Sequence, residues 1–228
     1  MSNARGKKQE KPEPPKAELV AFSDIRPEKP KWLWDRRLPQ GKLAILEGDP
    51  GEGKSMITVD WAARVSTGRP MPLESGKRAP AGVVILSAED NPNDTIHPRL
   101  IAAGADMSRV FWFRDVKALT GERDVRIPED VELIVNAIKE AKAKLVVIDP
   151  LMAFLRGVTA TQDQSVRQAL MQLRMVAEKS GACIVLIRHL IKTGSSRGIY
   201  RGSGSIGVVG AAIPLRLPES PLARAGSR

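Results

Sequence analysis

Gly48-Asp49-Pro50-Gly51-Glu52-Gly53-Lys54-Ser55 has the spacing G-x-x-x-x-G-K-S of a phosphate-binding P-loop. Glycines at 48, 51 and 53 let the chain curl with its N–H groups inward, because no Cβ obstructs the turn. Those donors and the N-terminus of a following helix form an anion site. The expected nucleotide-binding set runs from Gly48 through Asp49, Pro50, Gly51, Glu52, Gly53, Lys54 and Ser55 to Met56. Lys54 is placed to reach the β- and γ-phosphates of ATP, and Ser55 to offer its hydroxyl to Mg²⁺.

Leu145-Val146-Val147-Ile148-Asp149 is an apolar run ending in a carboxylate, the Walker B arrangement. Its strand is expected beside the P-loop strand, with Asp149 holding Mg²⁺ through water behind Ser55. The alternative is an aspartate that caps the loop before Pro150. Hydrolysis also needs a group to orient or deprotonate water. Pro150 occupies the position after Asp149, so the base comes from elsewhere. Ser87-Ala88-Glu89-Asp90 follows another strand, at the carboxyl edge where open α/β sheets bind ligands. Glu89 is the candidate base and Asp90 the next choice, unless the pair only starts a helix ahead of Pro92. His189, after Ile187-Arg188, is a candidate γ-phosphate sensor or a strand-end histidine bonded to backbone. The two histidines, His97 and His189, lack metal-ligand spacing.

The elements that must position these groups alternate. Apolar strands are expected at Leu43–Glu47, Gly82–Ser87, Val110–Phe113, Leu145–Asp149 and Ala182–Ile187. Helices are expected at Ser55–Thr67, Asn93–Ala103, Pro128–Ala141 and Gln162–Ser180, the first closed by Gly68 and the last by Gly181. Continuously apolar strands separated by helices imply a parallel sheet covered on both faces, an α/β fold. Val166, Leu170, Leu173 and Ala177 recur at three- and four-residue spacing and give the last helix one buried face. Residues 24–37 read as irregular chain, with Trp32 and Trp34 either packed under the sheet or lining a base pocket.

The 228 residues fit one globular core with tails. Three segments are expected: a Lys-, Glu- and Pro-rich disordered tail over 1–24, the catalytic domain over 25–212, and an irregular, truncated or aberrant ending over 213–228. Proline at 214, 218 and 221 argues against a regular ladder in that ending. Net charge is +10, which favours polyanionic partners, nucleic acid first. From Arg188 onward seven cations face one anion, Glu219, so the segment carries +6; it reads either as a nucleic-acid contact or as a solubilising tail. Aromatics are only 4% of residues, which argues against an extensive base-stacking platform. Cys183 stands alone in an apolar run and excludes an intrachain disulfide. No apolar stretch approaches the ~18 residues of a membrane span, and the N-terminus has no apolar signal region, so a cytoplasmic protein is expected.

Together these pieces resemble the RecA-like ATPase core, in the branch of the hexameric RepA-type plasmid replicative helicases and related AAA-family ATPases of mobile elements. The resemblance rests on the P-loop, Ser87–Asp90, Pro98–Ala105, Val147–Pro150, His189, Arg201-Gly202-Ser203, and Trp32-Leu33-Trp34 with Gly41-Lys42-Leu43. It covers about Ile25 to Ala212. It implies that Glu89 is the catalytic glutamate, Asp149 the Mg²⁺-associated aspartate, His189 the γ-phosphate sensor and Arg201 an arginine finger acting across a subunit interface. It also implies a homo-oligomeric ring, usually a hexamer, with ATP sites between subunits.

The basic segment holding Lys192 and Arg197 has three uses open to it: a mobile loop touching DNA in a ring's channel, a finger reaching a neighbour's nucleotide, or a solvated hairpin. Three functions are carried forward. One is an ATPase motor on DNA, single-stranded DNA above all, serving replication with an initiator or primase partner. Another is an ATP-gated regulatory module. The third is a small-molecule kinase, which the lack of an arginine-rich lid and the position of Glu89 disfavour.

Overall fold

The computed structural model describes residues 18–118, 121–155, 163–189 and 213–215. Two short strands, β1 (Trp32–Trp34) and β2 (Leu38–Pro39), pair antiparallel ahead of the core. They correct the expectation of irregular chain here. Trp34 is buried edge-on against Trp61 at 5.8 Å, with the Arg37 guanidinium 4.7 Å over its ring. This ribbon is anchored by its aromatic burial, a driving force that turn-rich local sequence does not advertise.

The core then alternates: β3 (Leu43–Gly48), α1 (Lys54–Thr67), β4 (Gly82–Ser87), α2 (His97–Ala102), β5 (Val110–Trp112). A hairpin of β6 (Val116–Ala118) and β7 (Gly121–Arg123) follows, which the sequence reading did not anticipate. After it come α3 (Val131–Glu140), β8 (Ala143–Asp149), the single turn α4 (Leu151–Phe154), α5 (Asp163–Ser180), β9 (Cys183–His189) and β10 (Ile213–Pro214). One turn of π-helix, Pro92–Ile96, precedes α2 and takes up part of the helix expected there. The α1 helix stops at Gly68, whose φ of +73° puts it in the left-handed region that glycine adopts without a Cβ penalty.

Among the described residues six strands form one parallel sheet in the order β10-β3-β9-β8-β4-β5. This is the RecA-like P-loop α/β fold. Side chains alternate across it. Ile45, Leu86, Val146 and Ile184 face α3 and α5, while Ala44, Leu46, Ile85, Val147 and Val185 face α1 and α2. Cys183 is fully buried, and that burial pushes its thiol pKa up, as suits a small hydrophobe.

Two further expectations are corrected. The Walker B strand β8 is not beside β3, because β9 lies between them. Pro214 does enter the ladder: Ile213 and Pro214 pair with Ala44 and Ile45, and the Leu215 amide donates to the Ile45 carbonyl at 2.8 Å. Backbone groups alternate sides along a strand, so with Leu215 facing β3 the nitrogen of residue 214 faces outward. A proline there removes no ladder bond.

The hairpin is fastened to α3 by Asp130, which receives both guanidinium arms of Arg123, at 2.6 and 2.8 Å, and the Arg126 amide at 2.8 Å. The bonds from Arg123 are the main reason its carboxyl is held below the usual carboxylate range. A depressed native pKa contributes stability that is present above the unfolded pKa and lost as pH falls through the native one. Asp130→Asn is therefore expected to lower the urea midpoint at pH 7, with the gap to wild type closing in acid; equal midpoints at pH 7 would refute the role.

Candidate functional site

The P-loop leaves β3 at Gly48 and enters α1 at Lys54. Gly51 and Gly53 have φ of +85° and +77°, the left-handed turns that bend the loop back on itself. Gly48 lies outside the left-handed region, and a Cβ there would displace only the Glu52 carboxylate, the far end of a flexible, exposed side chain. That carboxylate accepts the Asp49 N–H at 2.8 Å and braces the loop.

Lys54 is buried, and its Nζ donates to the carbonyls of Gly48 and Asp49 at 3.0 and 2.8 Å. The ammonium is thus fixed at the start of α1, where the helix dipole also favours an anion. Met56 sits half-exposed in the first turn of α1.

Ser55 Oγ donates to Asp149 Oδ2 at 2.8 Å. The contact forms although β8 is not the neighbour of β3, because α1 lies across β8 and β4 as well. A hydroxyl and a carboxylate side by side at the mouth of a P-loop fit Mg²⁺, a hard cation that takes one or two protein oxygens and fills its shell with water and phosphate. Burial is the main cause that holds the Asp149 carboxyl above the usual carboxylate range; nearby Glu89 and Asp90 push the same way, while Ser55 and His189 oppose them.

The two acids after β4 take different roles. Ser87 Oγ exchanges hydrogen bonds with the Asp90 backbone at 3.3 Å, and the Asp90 carboxylate is tied to Arg99 Nη1 at 2.8 Å. Glu89 instead extends over the sheet edge, with Oε2 3.3 Å from His189 Nε2. Registers make this contact possible: Gly48 is level with His189, and Ser87 with Asp149. The Ala88 amide also donates to the Asp149 carbonyl at 3.0 Å. Lys54, Ser55, Glu89, Asp149 and His189 therefore share one edge. Arg201, Lys192 and Arg197 lie outside the described residues. Among the described residues no cluster of three or more His, Cys, Asp or Glu side chains could hold a metal by itself.

Sequence reasoning missed the pair beneath the site. Arg188 is 1% exposed and donates through Nε, at 3.1 Å, and Nη2 to the Glu47 carboxylate, while among the described residues Nη1 has no partner. Each residue precedes a site residue, Gly48 or His189, at the same register. The pair clamps the P-loop strand to the histidine strand. Removing Glu47 would leave a buried guanidinium uncompensated, at a cost of about 3 kcal/mol. Charged residues closing two apolar runs were the available signal.

A carboxyl whose native pKa lies above its unfolded value favours folding fully below the unfolded pKa, and loses that contribution as pH rises through the native one. Without Mg²⁺, Asp149→Asn is expected to raise the thermal midpoint at pH 7, by about 2–4 °C for each kcal/mol of desolvation relieved. The gain should shrink to nothing below about pH 3.9, the unfolded carboxyl value. A lower midpoint for the variant at pH 7 would contradict this.

A family model described as an AAA domain matches residues 9–195. That span includes the P-loop, the Ser55–Asp149 pair, the Glu89–His189 pair and every strand of the sheet except β10. With the fold and the P-loop in agreement, the chain belongs to the AAA domain family and is an ATPase domain of P-loop type.

Proposed function

We propose that the protein hydrolyses ATP with Mg²⁺ and couples turnover to work on DNA, as a replicative helicase or helicase loader of a plasmid, phage or other mobile element. The observation that supports hydrolysis best is Glu89, 3.3 Å from His189 at the edge that also carries Lys54 and Ser55–Asp149. Lys54 and the loop amides bind the phosphates. Ser55 and Asp149 would hold Mg²⁺, which when bound offsets charge on the phosphate oxygens. Glu89 orients the attacking water and takes its proton. His189 holds Glu89 and relates its position to the γ-phosphate. Asp90, committed to Arg99, shapes the loop and leaves the proton transfer to Glu89.

The DNA part of the reading draws on the net charge of +10 and on the resemblance to RepA-type helicases. It includes a homo-hexameric ring, Arg201 reaching a neighbour's nucleotide, and an initiator or primase as partner. A second reading, an ATP-gated regulatory module, is favoured by the Glu89–His189 contact itself, which links the base to a group able to respond to the γ-phosphate.

Steady-state phosphate release with Mg²⁺-ATP, with and without single-stranded DNA, separates the two. Glu89→Gln is expected to keep ATP binding and lose turnover by about 10²–10⁴-fold, whereas Lys54→Ala loses binding. Undiminished turnover in Glu89→Gln would remove Glu89 as the base. Stimulation by DNA supports the motor, and DNA-independent turnover the regulatory module. Light scattering is expected to give a ring-sized oligomer with ATP; a monomer at high protein and ATP would remove the trans-acting role of Arg201.

A further inference from the structure

The amino edge of the sheet, opposite the P-loop, holds a cavity of about 710 Å³. Its walls carry Arg64, Arg69, Arg78, Arg109, Lys142 and Lys144 against one carboxylate, Glu140. Three of these arginines are neutralised by their own acids: Arg64 by Asp60, Arg78 by Glu74 and Arg109 by Asp106. The other three cations are not. Arg69 donates only to neutral oxygens, Thr67 Oγ1 at 3.2 Å and the Ala103 carbonyl at 2.7 Å. The side chains of Lys142 and Lys144 form no hydrogen bond or ion pair among the described residues.

Helix C-termini attract cations, and α1, α3 and α5 all end at this edge. That attraction suffices for an arginine bonded to a carbonyl, but Lys142 and Lys144 bond to none. They stand instead as a ridge, because both also line a second cavity, of about 590 Å³, between α3 and α5. That cavity adds Lys139 and Lys179 against Glu132. The cationic surface is therefore a track crossing two cavities, longer than a small anion requires. Beside it stand two aromatic rings, the half-buried Trp32 and Phe111, which is 43% exposed on the edge strand β5. A cationic track with accessible rings matches a polymer of phosphates and flat bases.

We infer that this amino edge is a binding site for single-stranded nucleic acid, with phosphates along Arg69, Lys142 and Lys144 and bases against Trp32 and Phe111. The inference deepens the DNA-acting reading above and rests on it for the choice of polyanion. The site is separate from the residues that serve ATP.

The test uses the full chain and fluorescence anisotropy of a labelled oligothymidylate across a salt series, with phosphate release measured without nucleic acid in parallel. The double substitution Lys142→Glu with Lys144→Glu is expected to weaken binding at least about tenfold and to flatten the log–log salt slope by about 1.4. Phe111→Ala is expected to weaken binding about tenfold with the slope unchanged. Basal phosphate release should stay at the wild-type rate in both. Should the glutamate pair fail to fold, Lys142→Gln with Lys144→Gln gives the same slope change. Wild-type affinity in the lysine variants would overturn this site while leaving DNA action intact. No binding by the wild-type chain would overturn both and leave ATP turnover standing. Displacement of the probe by polyglutamate more readily than by unlabelled oligothymidylate or RNA would reassign the track to an acidic protein.

Discussion

A sheet whose strands all run parallel must deliver every carboxyl end to one edge, and the chain must return across a face each time to do so. The candidate site exists because of that constraint. Gly48, Ser87, Asp149 and His189 end four strands drawn from well-separated parts of the chain. The order β3-β9-β8-β4 sets them side by side, and register levels Gly48 with His189 and Ser87 with Asp149, the second pair two residues short of the first. The Ser55–Asp149 bond, between residues 94 apart, and the Glu89–His189 contact, between residues 100 apart, are consequences of that levelling.

Charges buried at this edge oppose stability and so need local compensation. Lys54 is satisfied by two loop carbonyls, Arg188 by Glu47, and Asp149 by the Ser55 hydroxyl. Burial outweighs that one bond and holds the Asp149 carboxyl above the usual carboxylate range. A divalent cation would reverse that balance. Polar groups held at some cost in an otherwise apolar sheet are what distinguishes a working edge from a covered one.

The amino edge has the opposite character. Helices end there, their carbonyl ends carry partial negative charge, and lysines and arginines gather. The strand β8 spans both regions. Lys144 stands near its start, on the cationic ridge, and Asp149 closes it at the P-loop. At about 3.3 Å per residue the two lie roughly 17 Å apart along one hydrogen-bonded strand.

Much of this could be read directly from the chain. The P-loop spacing, the apolar runs and the glycine stops are local signals, so β3, β4, β8, β9, α1 and α5 lie close to where periodicity places them. The P-loop spacing proposed Lys54 and Ser55, and polar residues at or just after strand ends proposed Glu89, Asp149 and His189, as candidates for a carboxyl-edge site. Other features depended on contacts between distant segments. Sequence could not order the strands, and β9 stands between β3 and β8 because the sheet is assembled by packing rather than by succession. It ranked Glu89 ahead of Asp90 but could not show that Arg99 ties up the Asp90 carboxylate while Glu89 reaches His189. Nor could it pair Glu47 with Arg188, or gather Trp32, Phe111 and Lys144 at one cavity. Local patterns of hydrophobicity and turn chemistry choose the elements; only the tertiary fold, through register and burial, decides which side chains meet.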